Sequence, residues 1–92
     1  MIKELRPFHL AFPVKNLEKT KDWYCRVLGC DIGRESENWI DFNLFGHQIV
    51  AHLSNIEEDN STNNVDSKDI PIRHFGVILL PVDWQELKNK LE

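Results

Sequence analysis

The sequence has few of the features that define several large functional classes. It contains only two cysteines, Cys25 and Cys30, and their spacing is not that of a zinc knuckle or a redox dithiol. We therefore interpret both as structural thiols in a reducing compartment. Lys and Arg form no cluster, and the net charge is -4 with a pI near 5.5. This charge argues against nucleic acid as a partner, which needs a concentrated basic patch.

Long hydrophobic segments are also absent. The longest apolar run, residues 75–82, is far shorter than the roughly 20 residues that span a bilayer. Residues 1–4 lack the apolar core of a signal peptide. We therefore expect a cytoplasmic protein that makes no membrane contact. The sequence also shows no Gly-rich phosphate loop, no Ser-His-Asp pattern and no context for a nucleophilic cysteine.

One stretch of the sequence occurs twice. Residues 8–14, Phe-His-Leu-Ala-Phe-Pro-Val, return as residues 73–79, Arg-His-Phe-Gly-Val-Ile-Leu. In each copy apolar side chains alternate with a set that holds a His and then a small residue, which is a strand pattern. Because side chains alternate across a strand, His9 and His74 each lie opposite the apolar face of their strand. We predict two equivalent strands that each offer an imidazole to a common cavity.

The first copy opens a βαβββ pattern over residues 7–53. Asn16 is a good N-cap for a helix over residues 17–28, and Gly29 is a natural residue to end it. Strands follow at residues 31–36, 39–44 and 47–53, and these three form a meander. With 92 residues and 41% hydrophobic content, the chain makes one small domain.

The second copy is shorter than the first. Residues 54–69 are polar and are predicted to form a mobile linker. A strand over residues 74–80 and a helix over residues 84–91 follow, and Asp83 and Glu86 form a capping box for the helix. No three-strand meander comes after this helix. The predicted fold is therefore α+β, with a module at residues 1–53, the linker, and the start of a second module at residues 70–92.

Several short motifs carry a resemblance to a known family. They are His-Leu-Ala-Phe-Pro-Val at 9–14, Asn-Leu-Glu-Lys-Thr at 16–20, Trp-Tyr at 23–24, Val-Leu-Gly at 27–29, Trp-Ile-Asp-Phe at 39–42 and Gly-His-Gln at 46–48. With them the sequence resembles the vicinal oxygen chelate superfamily of glyoxalase I, bleomycin-resistance proteins and extradiol dioxygenases. The resemblance implies a glyoxalase-like fold, in which two βαβββ modules form a cupped sheet around a divalent metal ion.

The resemblance also implies which residues hold the metal. His9 and His74 match the first-strand ligands of the two modules, and the ion would be Fe, Mn, Ni or Zn. The remaining Glu ligand of the family would lie on the fourth strand of the second module, which this chain does not include. Two imidazoles alone leave the ion short of the two-His-one-carboxylate arrangement that suits oxygen-activating Fe(II).

Four further residues are candidates for a substrate pocket. If Ile49, Ala51 and Leu53 face the helix, then Gln48 and His52 face the cup. His52 would then be a third metal ligand or a substrate contact, whereas another register would turn it away and place Ala51 in the cup. Trp39 and Asp41 share one strand face, which is either a pocket wall or ordinary exposed surface. His47, beside Gly46 in a turn, is expected to be solvated.

The resemblance implies a metal-dependent enzyme that acts on a small oxygenated molecule through two vicinal oxygens. The ion would act as a Lewis acid. Two alternatives stay open: a non-catalytic module that binds a small ligand, as in bleomycin resistance, and a folded fragment without activity. The strand of the second module would leave an unpaired edge, so we expect another chain to complete the sheet, in a homodimer.

Overall fold

The computed structural model describes residues 4–55, 61–71 and 73–92, and these residues form six strands and two α-helices. The first part of the chain contains β1, α1, a π-helical segment and then three more strands. The elements are β1 (His9–Val14), α1 (Leu17–Asp22), the π-helical segment (Trp23–Val27), β2 (Asp31–Glu35), β3 (Trp39–Leu44), β4 (His47–Leu53), β5 (Thr62–Val65), β6 (Lys68–Pro71) and α2 (Pro81–Leu91).

Strands β1 to β4 form one sheet in the order β1-β4-β3-β2. Strand β1 runs parallel to β4, and the β2–β3 and β3–β4 pairs are antiparallel. A parallel neighbour requires a crossover, which α1 and the π-helical segment provide, whereas the antiparallel pairs need only short turns. This arrangement confirms the predicted α+β fold with a βαβββ module.

Local sequence signals define the ends of the first helix. The Asn16 side chain accepts a hydrogen bond from the Lys19 amide at 2.9 Å, which confirms the predicted N-cap. The predicted single helix is divided into α1 and the π-helical segment. Gly29, which has φ +73°, directly follows the C-cap residue Leu28, and the Cys30 amide donates to the Tyr24 carbonyl at 3.0 Å. This left-handed residue and the bond that closes over it are typical of a helix C-terminus.

The hydrophobic core lies between the sheet and this helical crossover. Phe42 and Ile49 are the largest completely buried side chains, and the Phe42 ring stacks on Tyr24 with 5.2 Å between centroids. Ile40, Leu44 and Ala51 belong to the same buried cluster, against which Leu10, Phe12, Leu17 and Leu28 pack. The residues of β3 and β4 therefore alternate between this core and the opposite face, as the period of a strand requires.

The predicted strand over residues 74–80 is wrong, because the structure assigns no strand there. Its apolar side chains nevertheless pack where the repeat suggests. Phe75 lies against Phe12 with 5.3 Å between ring centroids, and Val77 packs on the core cluster. Side-chain packing alone does not make a strand, which requires hydrogen bonds from its backbone to a neighbour. In the described part of the chain, no strand is paired with residues 74–80.

Two further differences from the sequence-based expectations lie in the second half of the chain. Strands β5 and β6 form a hairpin inside and just beyond the predicted linker. Asp66 and Ser67 join them with φ angles of 51° and 67°, as a tight type I′ hairpin turn requires. Part of the expected linker, residues 56–60, lies outside the described residues, and the division into modules stays a prediction.

The predicted capping box of α2 is also wrong. The helix begins at Pro81, and its N-cap is Leu80, which makes no side-chain capping bond. Proline at the first helical position already has the φ angle of a helix and needs no amide partner there, so the helix starts before Asp83. Within the described residues, neither this helix nor any other is long and apolar enough to cross a membrane.

Replacing Gly29 with Ala is expected to lower the free energy of unfolding by roughly 1–2 kcal/mol, because a residue with a Cβ is strained at φ +73°. No atom lies within 4 Å of the added Cβ, so this cost is purely conformational. Gly76 is the matched control, since its site is equally open and its φ is not left-handed. There the same change should be neutral or slightly stabilising. Urea denaturation of both variants measures the difference, and equal losses would contradict this account.

Burial raises the pKa of the Cys30 thiol to about 11 from its ordinary value of 9.0, and nearby Cys25 and Asp31 add to the effect. As the pH rises, the unfolded thiol releases its proton first, so folded-state stability is lost from about pH 9 to about pH 11. The slope should reach about 1 kcal/mol per pH unit. Urea denaturation between pH 9 and 10 should show this decline in the wild type and a flatter curve in Cys30→Ala. Equal slopes would contradict the expectation.

Candidate functional site

The side of the four-stranded sheet away from the core forms what we call the open face. It carries the residues of each strand that alternate with the core residues: His9, Ala11 and Pro13 of β1, Gln48, Val50 and His52 of β4, and Trp39, Asp41 and Asn43 of β3. Val50 is only 5% exposed, although it does not belong to the core cluster. The open face therefore has an apolar centre surrounded by polar and aromatic side chains.

A chain of hydrogen bonds crosses three strands of the open face. His9 and Gln48 are direct neighbours in the parallel β1–β4 pair, and His9 Nδ1 lies 3.0 Å from Gln48 Oε1. The Gln48 amide nitrogen donates to Asp41 Oδ2 at 3.3 Å. Asp41 is 7% exposed, and it is the one buried charged residue in the described part of the chain. Because a buried carboxylate needs partners, Gln48 stabilises Asp41 and in turn is oriented by it.

Arg34 of β2 extends this network towards the other edge of the sheet. Its Nε lies 3.9 Å from Asp41 Oδ2, and its guanidinium lies over the Trp39 ring, 5.4 Å from the centroid. The Arg34 side chain is mostly exposed, so the ion pair contributes little stability. Gly33 of β2 lies beside Asp41, since a Cβ added there would be in ordinary van der Waals contact with the Asp41 Cβ at 3.4 Å.

Sequence reasoning missed Arg34 as a member of this face. Strict alternation would place it on the same face as Ile32, which packs on the core. The pairing of β2 with β3 shifts register between Ile32 and Glu35, and such a bulge changes the direction of the side chains that follow. Gly33 was the only available signal, because an isolated glycine inside a strand pattern often marks a bulge.

All four predicted pocket residues lie on the open face, His52 included, since its neighbour Ala51 is completely buried in the core. His52 pairs with Pro13, four residues along β1 from His9, which is roughly 13 Å at the spacing of a strand. The structure therefore joins His9, Gln48 and Asp41 in one hydrogen-bond chain and leaves His52 and its cross-strand partner Trp39 at the other end of the face. The role of His52 as a ligand or substrate contact stays a prediction.

His74 occupies a different environment from His9. Its Nδ1 lies 2.7 Å from the carbonyl oxygen of Pro71. His74 lines a cavity of about 820 Å³ between the edge of β1, the helical crossover and residues 73–79. Leu10, Phe12, Phe75 and Leu87 also line this cavity, and His9 is not among the lining residues.

The described residues do not assemble a complete site for the implied metal. No group of three or more His, Cys, Asp or Glu side chains in that part of the chain could hold an ion. His9 and His74 each have a separate oxygen partner for Nδ1, so each leaves only Nε2 for another interaction. Their common ligation of a metal therefore stays a prediction.

His47 has a structural role that the sequence did not indicate. Its Nδ1 accepts a hydrogen bond from the Phe8 amide at 3.0 Å, and the two rings lie 4.3 Å apart. The expected solvated turn residue thus lies at the start of β4, where it holds the chain that enters β1. The side chain is half-buried by this contact.

The chain is an α+β protein with a βαβββ module and a first-strand histidine on its open face. Comparison with known proteins identifies its family. The model of the Glyoxalase/Bleomycin resistance protein/Dioxygenase superfamily matches residues 6–90, and the chain belongs to this superfamily. The match confirms the resemblance drawn from the sequence motifs.

One solved structure shows the likeness in three dimensions. It is the glyoxalase/bleomycin resistance protein/dioxygenase from Alicyclobacillus acidocaldarius, which is 30% identical in sequence with a TM-score of 0.73. The alignment covers 92% of this chain and 60% of that one, so this chain spans less than two thirds of the length of its structural relative. The comparison with curated proteins gave no match.

Proposed function

We propose that this chain binds a small oxygen-bearing organic molecule on the open face of its sheet, through hydrogen bonds to His9 and its neighbours. The observation that supports this proposal is the His9–Gln48–Asp41 hydrogen-bond chain, which lies on the open face of a glyoxalase-superfamily module. Asp41, at the inner end of this chain, is buried and accepts a hydrogen bond from Gln48, whereas His9, at the outer end, is exposed. A fixed inner partner and an accessible outer group are what a ligand contact requires.

The surroundings of His9 fit a small organic ligand better than an inorganic ion. Val50, which pairs with Ala11 and Asp41, provides an apolar floor, and Arg34, whose Nε lies 3.9 Å from Asp41 Oδ2, provides a cationic border. Binding sites for small molecules typically combine such apolar surface with a few convergent polar groups that fix orientation. Arg34 would also attract a carboxylate or enolate oxygen on the same ligand.

The second candidate is the metal-dependent enzyme that the sequence predicts. One observation favours it: both His9 and His74 hold Nδ1 against an oxygen acceptor, which is the usual arrangement of metal-binding histidines. Two imidazoles form an incomplete site, so further ligands would have to come from outside the described residues. A second copy of this chain, in the expected homodimer, is one source of such ligands.

Titration of the ¹⁵N-labelled, EDTA-treated protein with phenol tests the first candidate, with toluene as its oxygen-free match. We expect phenol to shift the amide resonances of His9, Gln48 and Val50, and toluene to bind about five- to tenfold more weakly because it lacks the hydrogen bond. The variant His9→Phe should lose this preference. His52→Phe is the matched control on the same face and should keep it.

The metal is tested separately by elemental mass spectrometry of the wild type and His74→Ala. If stoichiometric Fe, Mn, Ni or Zn disappears in the variant, and phenol binds only to the metal-loaded wild type, the enzyme hypothesis replaces the first candidate. If phenol and toluene shift no open-face resonance with or without metal, the binding proposal is wrong. If no metal is bound either, the fragment without activity is the remaining alternative.

A further inference from the structure

Each hydrogen bond in the His9–Gln48–Asp41 chain has a fixed donor and a fixed acceptor, because the Asp41 carboxylate at its buried end only accepts. We infer that Asp41 and Gln48 are positioning residues that hold His9 in its Nδ1–H tautomer and leave Nε2 as a hydrogen-bond acceptor on the open face. A neutral imidazole has one donor and one acceptor nitrogen, so fixing one nitrogen determines the other.

The direction follows from Asp41. An ionised carboxylate only accepts hydrogen bonds, so the side-chain amide of Gln48 must turn its NH₂ group towards Asp41, where Nε2 lies 3.3 Å from Oδ2. The amide oxygen of Gln48 then faces His9 at 3.0 Å. This oxygen cannot donate, so His9 Nδ1 must carry the proton. The opposite tautomer would place two lone pairs against each other.

The inner end of the chain is held firmly. Asp41 is almost completely buried, with Gly33 beside it and Arg34 Nε 3.9 Å from its Oδ2. Gln48 pairs directly with His9 across the β1–β4 ladder, so backbone hydrogen bonds fix the separation of the two side chains. The tautomer is therefore set by the sheet, and no ligand is needed to select it.

The fixed tautomer of His9 restricts the class of ligand that can bind. This part of the inference rests on the proposed function. An imidazole held as an acceptor at Nε2 favours a ligand that presents a hydroxyl or N–H group, because a carbonyl or ether oxygen would meet another lone pair. The same nitrogen is the one that could accept a proton from an acidic hydroxyl. Asp41 and Gln48 would thus determine which functional group of the ligand meets His9.

Long-range ¹H–¹⁵N correlation spectra of the ¹⁵N-histidine-labelled, EDTA-treated protein test this inference without any ligand. At about pH 8.5 an ordinary imidazole is neutral, and the two tautomers give distinct patterns. We expect His9 to be at least about tenfold enriched in the Nδ1–H form. His74, facing the Pro71 carbonyl, should show the same form. His47, which accepts from the Phe8 amide, should show the Nε2–H form.

Three variants separate positioning from a general structural role. Gln48→Met and Asp41→Asn should each lower the Nδ1–H enrichment of His9 about five- to tenfold, since they remove the acceptor or its orienting carboxylate. The exchanged pair Gln48→Glu with Asp41→Asn keeps an acceptor for His9 and a donor between the two side chains, and should retain the enrichment. In each variant, unchanged His47 and His74 tautomers show that the fold is intact, and His52 provides a reference on the same strand.

Two results would overturn the inference. One is a wild-type His9 in the Nε2–H form, a measurement that depends on no variant. The other is an Nδ1–H enrichment that survives both Gln48→Met and Asp41→Asn. Failure of the proposed function would look different, because phenol would then leave the open face unshifted while the His9 tautomer stayed as expected.

Discussion

Replacing Phe42 with Ala is expected to lower the free energy of unfolding by about 3–5 kcal/mol. Phe42 is 1% exposed, lies on the central strand pair β3–β4, and stacks on Tyr24 of the π-helical segment. Its removal loses the burial of an aromatic side chain and leaves a cavity that the sheet and the helical crossover cannot both close. Few other single truncations in this chain should cost as much.

Urea denaturation followed by circular dichroism measures this loss, and Phe45→Ala is the control. Phe45 is 48% exposed in the turn between β3 and β4, so its truncation should cost less than about 1 kcal/mol. Because a domain of this size has little stability to lose, Phe42→Ala could leave no folded baseline. The milder Phe42→Leu should then still show a loss of about 1–2 kcal/mol. Similar losses at both positions would contradict the assignment of the core.

The first module could be predicted well because its signals are local. Alternation in residues 39–44 and 47–53 determines which side chains face the core, and a one-residue shift would reverse every one of them. Asn16 marks the start of a helical pattern and Gly29 its end, and the structure confirms both residues at the two ends of the helical crossover. These features depend on neighbours within a few residues, so the sequence alone is sufficient.

The second half was predicted less well because its structure depends on partners distant in sequence. Residues 74–80 have a strand pattern, but a strand also needs backbone hydrogen bonds to a neighbour, and no strand of the described residues pairs with this segment. The β5–β6 hairpin has Asp66 and Ser67 in left-handed conformations, which Asp tolerates but Ser adopts only rarely, and no glycine in the sequence signals this turn.

The candidate site was predicted in part for the same reason. Strand alternation favoured Gln48 on the side of His9 and left open whether Asp41 lines a pocket, but only the parallel register of β1 and β4 brings Gln48 next to His9. This register pairs residues 39 positions apart in the sequence, so no short pattern encodes it. Arg34 needed a bulge to reach the open face, and a bulge is a tertiary feature.

Replacing Ile49 with Asp is expected to unfold the chain at neutral pH. Ile49 is completely buried on the core face of β4, so this change removes the apolar side chain and places an unpaired carboxylate in the core. The first effect alone costs about 2–5 kcal/mol, and the second adds several more. The sum equals or exceeds the whole stability of a typical small domain.

The control for this variant is His52→Asp, three residues further along the same strand and exposed on the open face. Aspartate is equally unfavourable for a strand at both positions, so the comparison isolates the face of the sheet. We expect His52→Asp to stay folded with a change of about 1 kcal/mol or less. Dispersion of the ¹H–¹⁵N spectrum distinguishes the two results.

The pH dependence of the Ile49→Asp variant separates burial of charge from loss of packing. Burial raises the pKa of a carboxyl group, so the folded state of this variant would bind a proton more tightly than the unfolded state, and its stability would rise as the pH falls. Partial refolding at about pH 4 would therefore assign the loss to a buried charge on the core face. If His52→Asp unfolded and Ile49→Asp did not, the two faces of β4 would be reversed, and His9, Gln48 and Asp41 could not form a ligand site on the open face.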